Sequence, residues 1–462
     1  MESFRRALTL NPSSFEAYNN LGSIFASLQD WDTALTFVRA AAELNPTSPE
    51  IHGNLALLSL KKGQTQAAME HYREAAALKP DDPLYANSLG NALRLAGQYA
   101  EAEACMRRAL FLQPGYAEAY VNLGYLYYVQ QRSASQVEEY YKKAIALAPD
   151  LAQAHVNLSY CLLRRGAFAA GWVEQEWRWR WKDFPSPKRN FTQPQWRGES
   201  IQGSRILLHA EQGFGDTIQF LRYVPMVAKQ GARVLLEVHP ELRSLVSNMP
   251  DGVQVLSRGD PLPEFDWQCP LLSLPLAFGT ELESIPATVP YLWSHAETPG
   301  WLQQERATGL RVGLVWAGGA INLVDQERSL SLTALSALWQ VKDVSFYSLQ
   351  RGPVSHEAVS GTLRFAGTQP QTGDFAATAA AISQLDLVVS VDTSVAHLAG
   401  ALGKPVWILL PIRSDWRWLT ERDDSPWYPS ARLFRQKVEG DWEPVIASVA
   451  AELSRMARGP AS

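Results

Sequence analysis

Leucine, alanine and small residues recur at a fixed interval along the first 182 residues, between prolines at the same interval. The spacings between successive prolines are 34, 34, 34 and 35 residues, for Pro12, Pro46, Pro80, Pro114 and Pro149. Nine residues after each proline stands a leucine, and the next residue is small, which lets two helices approach closely. Such a pattern predicts helical hairpins that must stack to bury their apolar faces.

Two further positions complete the repeat. An alanine precedes each proline by five residues, and Gly63, Gly97 and Gly166 recur where the two helices of a hairpin would turn. The whole pattern resembles the tetratricopeptide repeat (TPR). It implies an α-solenoid, the TPR superhelix, over residues 1–182, with about five units of which the first is incomplete.

The end of this region is rich in tryptophan. Residues 167 to 182 fit the second helix of the fifth unit, and four indoles lie along it: Trp172, Trp177, Trp179 and Trp181. Such a stripe is typical of a packing surface. We therefore expect it to dock the superhelix against the next domain, through a proline-containing linker at residues 183–203.

From residue 204 short apolar strands alternate with helix-length segments. The strands are RILLH, RVLLEV and VQVL, and then RVGLVW, VSFYSL, DLVVSV and PVWILL. This alternation predicts α/β structure with parallel sheets. A proline-rich stretch separates the sets and predicts two Rossmann-like lobes, residues 204–298 and 299–462, an arrangement that resembles the GT-B fold of nucleotide-sugar transferases. We expect the last helix, around Trp442 to Met456, to cross back to the first lobe.

Composition narrows the possible partners. The formal net charge is −5, and the 42 basic residues are interspersed with 47 acidic ones, so no long basic stripe is available for nucleic acid. Three distant cysteines indicate neither a disulfide framework nor a zinc site. We find no signal-peptide core and no apolar run of membrane-span length, and we expect a cytoplasmic protein.

A glycine-rich turn follows the first strand, in HAEQGFGDTIQFLRYVP at residues 209–225. Gly213 and Gly215 permit a tight turn beside Gln212, and Asp216 or Thr217 can cap the helix that follows. The segment resembles the Gly-Asp turn of the bacterial heptosyltransferase family. That resemblance implies that Asp216 is the base that takes the proton from an acceptor hydroxyl.

A second motif lies in VVSVDTSVAHLAGALGKPVWILLP, residues 388–411. Asp392 ends a buried strand, Thr393 and Ser394 begin a helix whose N-terminus favours a diphosphate, and His397 follows one turn later. This arrangement resembles the donor-binding motif of the heptosyltransferases and of TPR-linked bacterial glycosyltransferases.

Two weaker candidates follow other strands. Gly318 and Gly319 end RVGLVWAGG, and Arg328 could pair with a donor phosphate. The intervening AINLVDQE has fewer basic and polar residues than the same segment of the relatives. This departure predicts weaker donor binding or reduced activity. Gln350 and Arg351 follow another strand and offer a second cationic candidate.

Asparagine recurs eight residues after the prolines, on the helix that would line the concave wall: Asn20, Asn54, Asn122 and Asn157, with Ser88 in the third place. Amides that both donate and accept can hold a peptide backbone. The architecture resembles the protein O-linked N-acetylglucosamine transferases, which use such a ladder. Asparagine before Leu-Gly is also common in TPR units of every function.

Taken together, these resemblances imply an inverting glycosyltransferase. It would use a nucleoside-diphosphate sugar, no cofactor and no metal, since no convincing Asp-x-Asp motif occurs in the second half. The acceptor would be a protein in the TPR groove. Two alternatives are a scaffold that binds nucleotide without turnover and an enzyme that modifies glycans and uses the repeats only for docking.

Overall fold

The computed structural model describes residues 2–249, 252–294, 309–319, 327–350, 363–365 and 374–458. Contacts divide the chain into two compact units, Met1–Cys161 and Leu162–Ser462. The division falls within one helix, so the second helix of the predicted fifth repeat groups with the α/β unit and not with the preceding repeats.

Helices of 13 and 14 residues alternate along the repeat region, after a shorter first helix. Their bounds are α1 Glu2–Leu10, α2 Phe15–Ser27, α3 Trp31–Leu44, α4 Pro49–Lys61, α5 Thr65–Leu78, α6 Pro83–Leu95, α7 Tyr99–Leu112, α8 Ala117–Val129, α9 Ala134–Leu147 and α10 Ala152–Arg164. The predicted helical repeat is confirmed.

Side chains begin several of these helices. Ser14, Asp30, Ser48 and Asp82 each accept a hydrogen bond from a backbone N–H of the first turn. Two of these helices also begin with proline, which has no N–H to leave unsatisfied at that position. Local sequence therefore fixes where these four helices start.

The turn inside each hairpin requires a left-handed backbone. The predicted glycines Gly63, Gly97 and Gly166 have φ of 71°, 75° and 83°. Gln29 and Gln131 occupy the same repeat position in other hairpins, with φ of 62° and 56°. A residue with a side chain costs about 1–2 kcal/mol in this conformation, so packing in these two repeats must offset the cost.

Small residues allow the paired helices to touch. A Cβ added to Gly22 would lie 2.3 Å from Val38 Cγ2, and one added to Gly90 would lie 3.0 Å from the Ala102 carbonyl oxygen. At Gly124 the added atom would lie 2.8 Å from Tyr141 Cε1. The predicted close approach is therefore present in three hairpins.

The second unit is built on parallel strands: β1 Arg205–His209, β2 Arg233–Val238, β3 Val253–Ser257, β4 Trp267–Pro270, β5 Leu310–Val315, β6 Val344–Ser348, β7 Leu363–Phe365, β8 Leu387–Val391, β9 Val406–Leu410 and β10 Ala431–Arg435. They form a four-stranded sheet in the order β3-β2-β1-β4 and a six-stranded sheet in the order β10-β9-β8-β5-β6-β7. The six-stranded order is that of the doubly wound nucleotide-binding fold. Parallel α/β structure was predicted and is confirmed.

Helices of this unit are α11 Phe168–Gln175, α12 Phe214–Phe220, α13 Val224–Ala228, α14 Leu274–Ala277, α15 Phe375–Ser383, α16 Ser394–Ala401 and α17 Glu443–Ala457. The second sheet has a large apolar core to which α17 contributes Val445, Ile446, Val449 and Leu453. The expectation that the last helix crosses back to the first sheet was wrong, because its apolar stripe is buried against the second.

The tryptophan-rich segment also differs from its prediction. Its α-helix ends at Gln175, and Glu176–Arg180 is a 3₁₀ turn. The Trp172 indole N–H donates to the Thr280 carbonyl oxygen at 2.9 Å, and its ring lies edge-on to Trp416 at 5.3 Å. This tryptophan therefore belongs to the core of the α/β unit.

Gly124→Ala tests the close approach. In a helix, alanine in place of glycine lowers the free energy of the helix by about 1 kcal/mol. Overpacking of the added methyl group against the buried Tyr141, however, costs about 1–3 kcal/mol. We expect a net loss of ~1 kcal/mol, seen as faster amide hydrogen exchange in α8 and α9.

Gly115→Ala is the matched control, because nothing lies within 4 Å of its added Cβ. Exchange in α8 and α9 should then stay as in the wild type. Equal exchange in Gly124→Ala and the wild type would contradict the packing argument.

Candidate functional site

Three of the sequence-predicted motifs lie at strand ends where ligands bind. The strand order reverses between β1 and β4 in one sheet and between β5 and β8 in the other. In open parallel sheets, ligands occupy the crevice beyond the carboxyl ends at such a reversal. The Asp216 turn follows β1, the two glycines follow β5 and Asp392 follows β8.

Asp216 lies in the first turn of α12 and caps it. Its Oδ2 accepts a hydrogen bond from the Gly213 N–H at 2.9 Å. Its Oδ1 contacts the guanidinium of Arg417. Beside it, Gln212 adopts a left-handed backbone with φ of 54°, and its N–H donates to Ser186 Oγ at 2.7 Å. A strained backbone held by specific partners fixes the shape of this turn.

Gly215 brings the two motifs into contact. A Cβ added to Gly215 would lie 2.9 Å from His397 Cδ2, 3.5 Å from His397 Nε2 and 3.6 Å from Ser394 Cα. Gly215 and His397, which are 182 positions apart in sequence, thus meet where α12 packs on α16. The predicted base and the predicted donor motif share one location.

His397 is buried, with 5% of its surface exposed. Its Nδ1 is 2.9 Å from Tyr428 Oη, its Nε2 is 3.8 Å from Asp392 Oδ1, and its ring stacks on Trp418. Burial first, and then three nearby cations, hold the pKa of His397 well below its usual range: Arg417, Arg222 and Arg328. The imidazole is therefore neutral and fixed in orientation.

Asp392 is the buried carboxyl of the donor motif. Burial first, and then the neighbouring Asp415, raise the pKa of Asp392 to about 6, whereas Arg328 acts in the opposite direction. Thr393 precedes α16, and its hydroxyl is 3.0 Å from Ser390 Oγ. Ser394 is the first residue of that helix.

Arg417 is a cation that the sequence reasoning missed. Its Nη1 donates to Asp415 Oδ1 at 2.9 Å and its Nε to Gln219 Oε1 at 2.5 Å, in addition to the Asp216 contact. Burial alone would lower its pKa, but the Asp415 and Asp216 carboxylates outweigh burial and raise the pKa of Arg417. A charged residue between two buried tryptophans must be paired. The position of Arg417 between Trp416 and Trp418 was therefore the signal in the sequence that could have identified it.

The segment after β5 is held by a glutamine. Gln350 is buried; its Oε1 accepts from the Trp316 and Ala317 N–H groups at 3.0 Å, and its Nε2 donates to the Ala317 carbonyl oxygen at 3.0 Å. Gly318 N–H donates to Ser329 Oγ at 3.1 Å. Gln350 therefore positions the backbone that leads to Gly319.

Two sequence candidates lie outside the described residues. Arg351 and residues 320–326 of the AINLVDQE segment belong to the parts of the chain that the structure does not describe. Arg328 is described, and its charge acts on Asp392 and His397.

The asparagines of the helical unit pair with the preceding repeat. Asn54 Nδ2 donates to Asn19 Oδ1 at 2.8 Å, and Asn122 Nδ2 donates to Asn87 Oδ1 at 3.0 Å. Asn20 is exposed and Asn157 is half-buried. The partners Asn19 and Asn87 stand one position before the predicted row, which is why the spacing alone missed them.

Within the residues that the structure describes, no helix is long and apolar enough to cross a membrane. Nor do these residues contain a group of three or more His, Cys, Asp or Glu side chains placed to hold a metal ion.

Comparison with protein families gives matches in both units. Tetratricopeptide repeat families match residues 25–92 and 87–152. Glycosyltransferase family 9 (heptosyltransferase) matches residues 364–410, which include the Asp392 motif.

Protein FlbA of Caulobacter vibrioides is 27% identical over 323 residues, which are 63% of this chain and 53% of FlbA. The chain thus spans about half the length of the curated relative that it matches.

Among solved structures, PilF of Pseudomonas aeruginosa is 22% identical and aligns over 35% of this chain and 74% of its own, with a TM-score of 0.32. The thermophilic TPR protein TTC0263 of Thermus thermophilus is 24% identical and aligns over 35% and 88%, with a TM-score of 0.33. YrrB, a TPR protein with an unusual peptide-binding site, is 17% identical and aligns over 38% and 89%, with a TM-score of 0.30.

The repeat matches, the family 9 match and the relationship to FlbA show that the chain is similar to TPR-linked, glycosyltransferase-like proteins.

Proposed function

We propose that this chain is an inverting, metal-independent glycosyltransferase of the GT-B type. It transfers a sugar from a nucleoside-diphosphate donor to an acceptor hydroxyl. The observation that supports this most directly is the contact between Gly215 and His397, which joins the turn of Asp216 to the donor motif. The family 9 match to residues 364–410 supports the same reaction class.

The donor diphosphate would bind at the start of α16. Amide groups and hydroxyls of Thr393 and Ser394 lie at a helix N-terminus, which favours negative charge. Arg328 would pair with a phosphate, and the backbone at Gly318 and Gly319 would allow close approach of the nucleotide.

Asp216 would act as the base. As the acceptor oxygen bonds to the anomeric carbon, the bond from that carbon to the diphosphate breaks, and the nucleoside diphosphate leaves from the opposite face. The acceptor proton passes to Asp216. Because Asp216 Oδ1 contacts Arg417, this carboxylate must be released first. An incoming diphosphate that attracts Arg417 would supply that release.

A protein acceptor would lie on the helical unit. TPR units generally mediate protein interactions, and the candidate contacts are Asn20, Asn54, Asn122 and Asn157. Asn54 and Asn122 are already oriented by Asn19 and Asn87, so less side-chain entropy is lost when they bind a peptide. The glycan-modifying alternative predicts that alanine at these positions leaves acceptor binding unchanged.

A second candidate function also has an observation in its favour. Both carboxylate oxygens of Asp216 are engaged, one by Gly213 and one by Arg417. A purely structural aspartate would have this environment. The chain would then be a scaffold that binds nucleotide without turnover.

Nucleoside diphosphates and their sugars should stabilise the protein. A ligand at about 100 times its Kd adds ~2.7 kcal/mol to the free energy of unfolding, and a thermal-shift screen measures the effect. His397→Ala should abolish the shift, because His397 is one of the proposed donor-binding residues of the Asp392 motif.

His52→Ala in α4 is the control for that screen and should respond like the wild type. Absence of a shift with every nucleotide would contradict the proposed donor site.

Asp216→Asn should lower the rate of sugar transfer by about 10²–10⁴-fold, because an amide cannot take the acceptor proton. Donor binding should persist. The rate is measured as release of nucleoside diphosphate from the donor that the screen identifies.

Asp260→Asn is a matched control, since Asp260 also accepts from a backbone N–H, that of Ser257 at 2.9 Å, and pairs with Arg243 at 2.8 Å. Full activity is expected for it. An active Asp216→Asn enzyme would remove Asp216 as base, and a wild type that binds donor without turnover would favour the scaffold.

Donor affinity should fall as the pH rises through about 6. The pKa of Asp392 is raised to about 6, so its carboxyl is neutral below that pH and repels a diphosphate above it. We expect about a tenfold loss, equivalent to ~1.4 kcal/mol, in titrations with a nucleotide sugar, whose diphosphate does not itself titrate in this range. Asp392→Asn should flatten the profile, and a profile that kept its shape in this variant would assign the titration elsewhere.

A further inference from the structure

Two histidine rings meet across one hairpin of the first unit. His52 lies in α4 and His71 in α5, and both side chains are half-buried. Their Nδ1 atoms are 3.3 Å apart, and their ring centres are 5.5 Å apart. Two neutral imidazoles can make this contact with only one proton between them. One ring therefore donates from Nδ1, and the other accepts with its Nδ1 lone pair.

The Pro46 carbonyl oxygen determines which of the two rings accepts. His52 Nε2 is 2.9 Å from this oxygen, which has no proton to donate, so His52 carries its proton on Nε2. The Nδ1 lone pair of neutral His52 then faces His71. Metal-ligating histidines have the same arrangement, because a carbonyl group that accepts from one ring nitrogen fixes the tautomer and orients the other nitrogen toward the ion.

The helical repeat does not require imidazoles at these two positions. Tyr18 and Phe37 occupy the same positions of the preceding hairpin, counted from the flanking prolines, and their ring centres are 6.3 Å apart. Tyr120 and Tyr140 occupy them in a later hairpin, with ring centres 6.4 Å apart. Aromatic rings therefore fill this space by packing alone. The histidine pair differs because it brings two nitrogen atoms face to face.

We propose that His52 and His71 bind a Zn²⁺ ion through their Nδ1 atoms. Imidazole nitrogen is a preferred ligand of zinc. Two Zn–N bonds of about 2.0–2.1 Å at a tetrahedral angle place the two nitrogens about 3.3–3.4 Å apart, and the Nδ1 atoms are 3.3 Å apart. The ion takes the place of the shared proton, and His71 then carries its one proton on Nε2. The site does not depend on the proposed glycosyl transfer, because it uses no residue of the α/β unit.

Water completes the coordination of the ion. Within the described residues, no third His, Cys, Asp or Glu side chain joins the two histidines as a ligand. Glu70, Glu74 and Arg39 act on the His71 ring through their charges. The two carboxylates outnumber the guanidinium and favour a cation, but all three side chains are exposed, so salt screens them. The two nitrogens therefore supply most of the affinity, which should be lower than that of a closed four-ligand site.

Isothermal titration calorimetry of the untagged full chain with zinc chloride, at neutral pH in a buffer that does not bind zinc, tests the proposal. We expect saturable binding that includes one equivalent of zinc at the histidine pair. His71→Phe should lower the affinity for that equivalent at least tenfold, because phenylalanine keeps the ring, as Phe37 does in the preceding hairpin, but has no nitrogen. His52→Tyr, which places the Tyr18 side chain type in α4, should have the same effect.

His155→Tyr is the matched control and should bind zinc like the wild type. His155 has the same repeat position as His52, and its Nε2 is 2.9 Å from the Pro149 carbonyl oxygen. Amide hydrogen exchange without zinc shows whether each variant is folded. Added zinc should slow exchange in α4 and α5 of the wild type and the control only, because the ion binds the packed hairpin. The proposal is overturned if the wild type binds no zinc saturably, if either folded variant of the pair keeps wild-type affinity, or if the control weakens binding as much.

Discussion

The rest of the α/β unit depends on one close approach, the contact of α12 with α16 at Gly215. Any side chain at this position would have its Cβ 2.9 Å from His397 Cδ2, a separation that neither a packed helix nor a buried ring can accommodate. The absence of a side chain lets two helices from different sheets touch. Because Asp216 is the next residue and His397 belongs to the donor motif, this steric constraint determines that the two candidate groups share one site.

Buried arginines hold that contact in place, and they do so from both sides. Arg417 reaches Asp216 and Gln219 of α12. Conversely, Arg222, which follows α12, donates to the Trp427 carbonyl oxygen at 2.7 Å and to Tyr291 Oη at 3.2 Å. A buried charge is tolerated only when its hydrogen bonds are satisfied, and removal of one partner typically costs about 3–5 kcal/mol. These arginines therefore favour a single relative placement of the two segments, and any donor that binds there competes with contacts already present.

Local signals in the sequence predicted much of this structure. The period of 34 residues predicted the hairpins, including the turns at Gly63 and Gly97, and the apolar runs predicted seven of the strands. Features that depend on distant partners were missed. Arg417 has no motif of its own, β4 is four residues that end in proline, and the 3₁₀ turn at Glu176–Arg180 contains Arg178, which pairs with Glu211 far along the chain. The asparagine pairs were missed because each joins neighbouring positions in successive repeats.

The central claim is that the Gly215 contact joins a base to a donor site. A crystal structure of the protein with a bound nucleotide sugar tests it most directly. We predict that the diphosphate lies at the N-terminus of α16, within hydrogen-bond distance of the Thr393 or Ser394 amides, with the anomeric carbon facing Asp216 and with Arg417 moved away from that carboxylate. A diphosphate bound elsewhere, or an anomeric carbon remote from Asp216, would contradict the account.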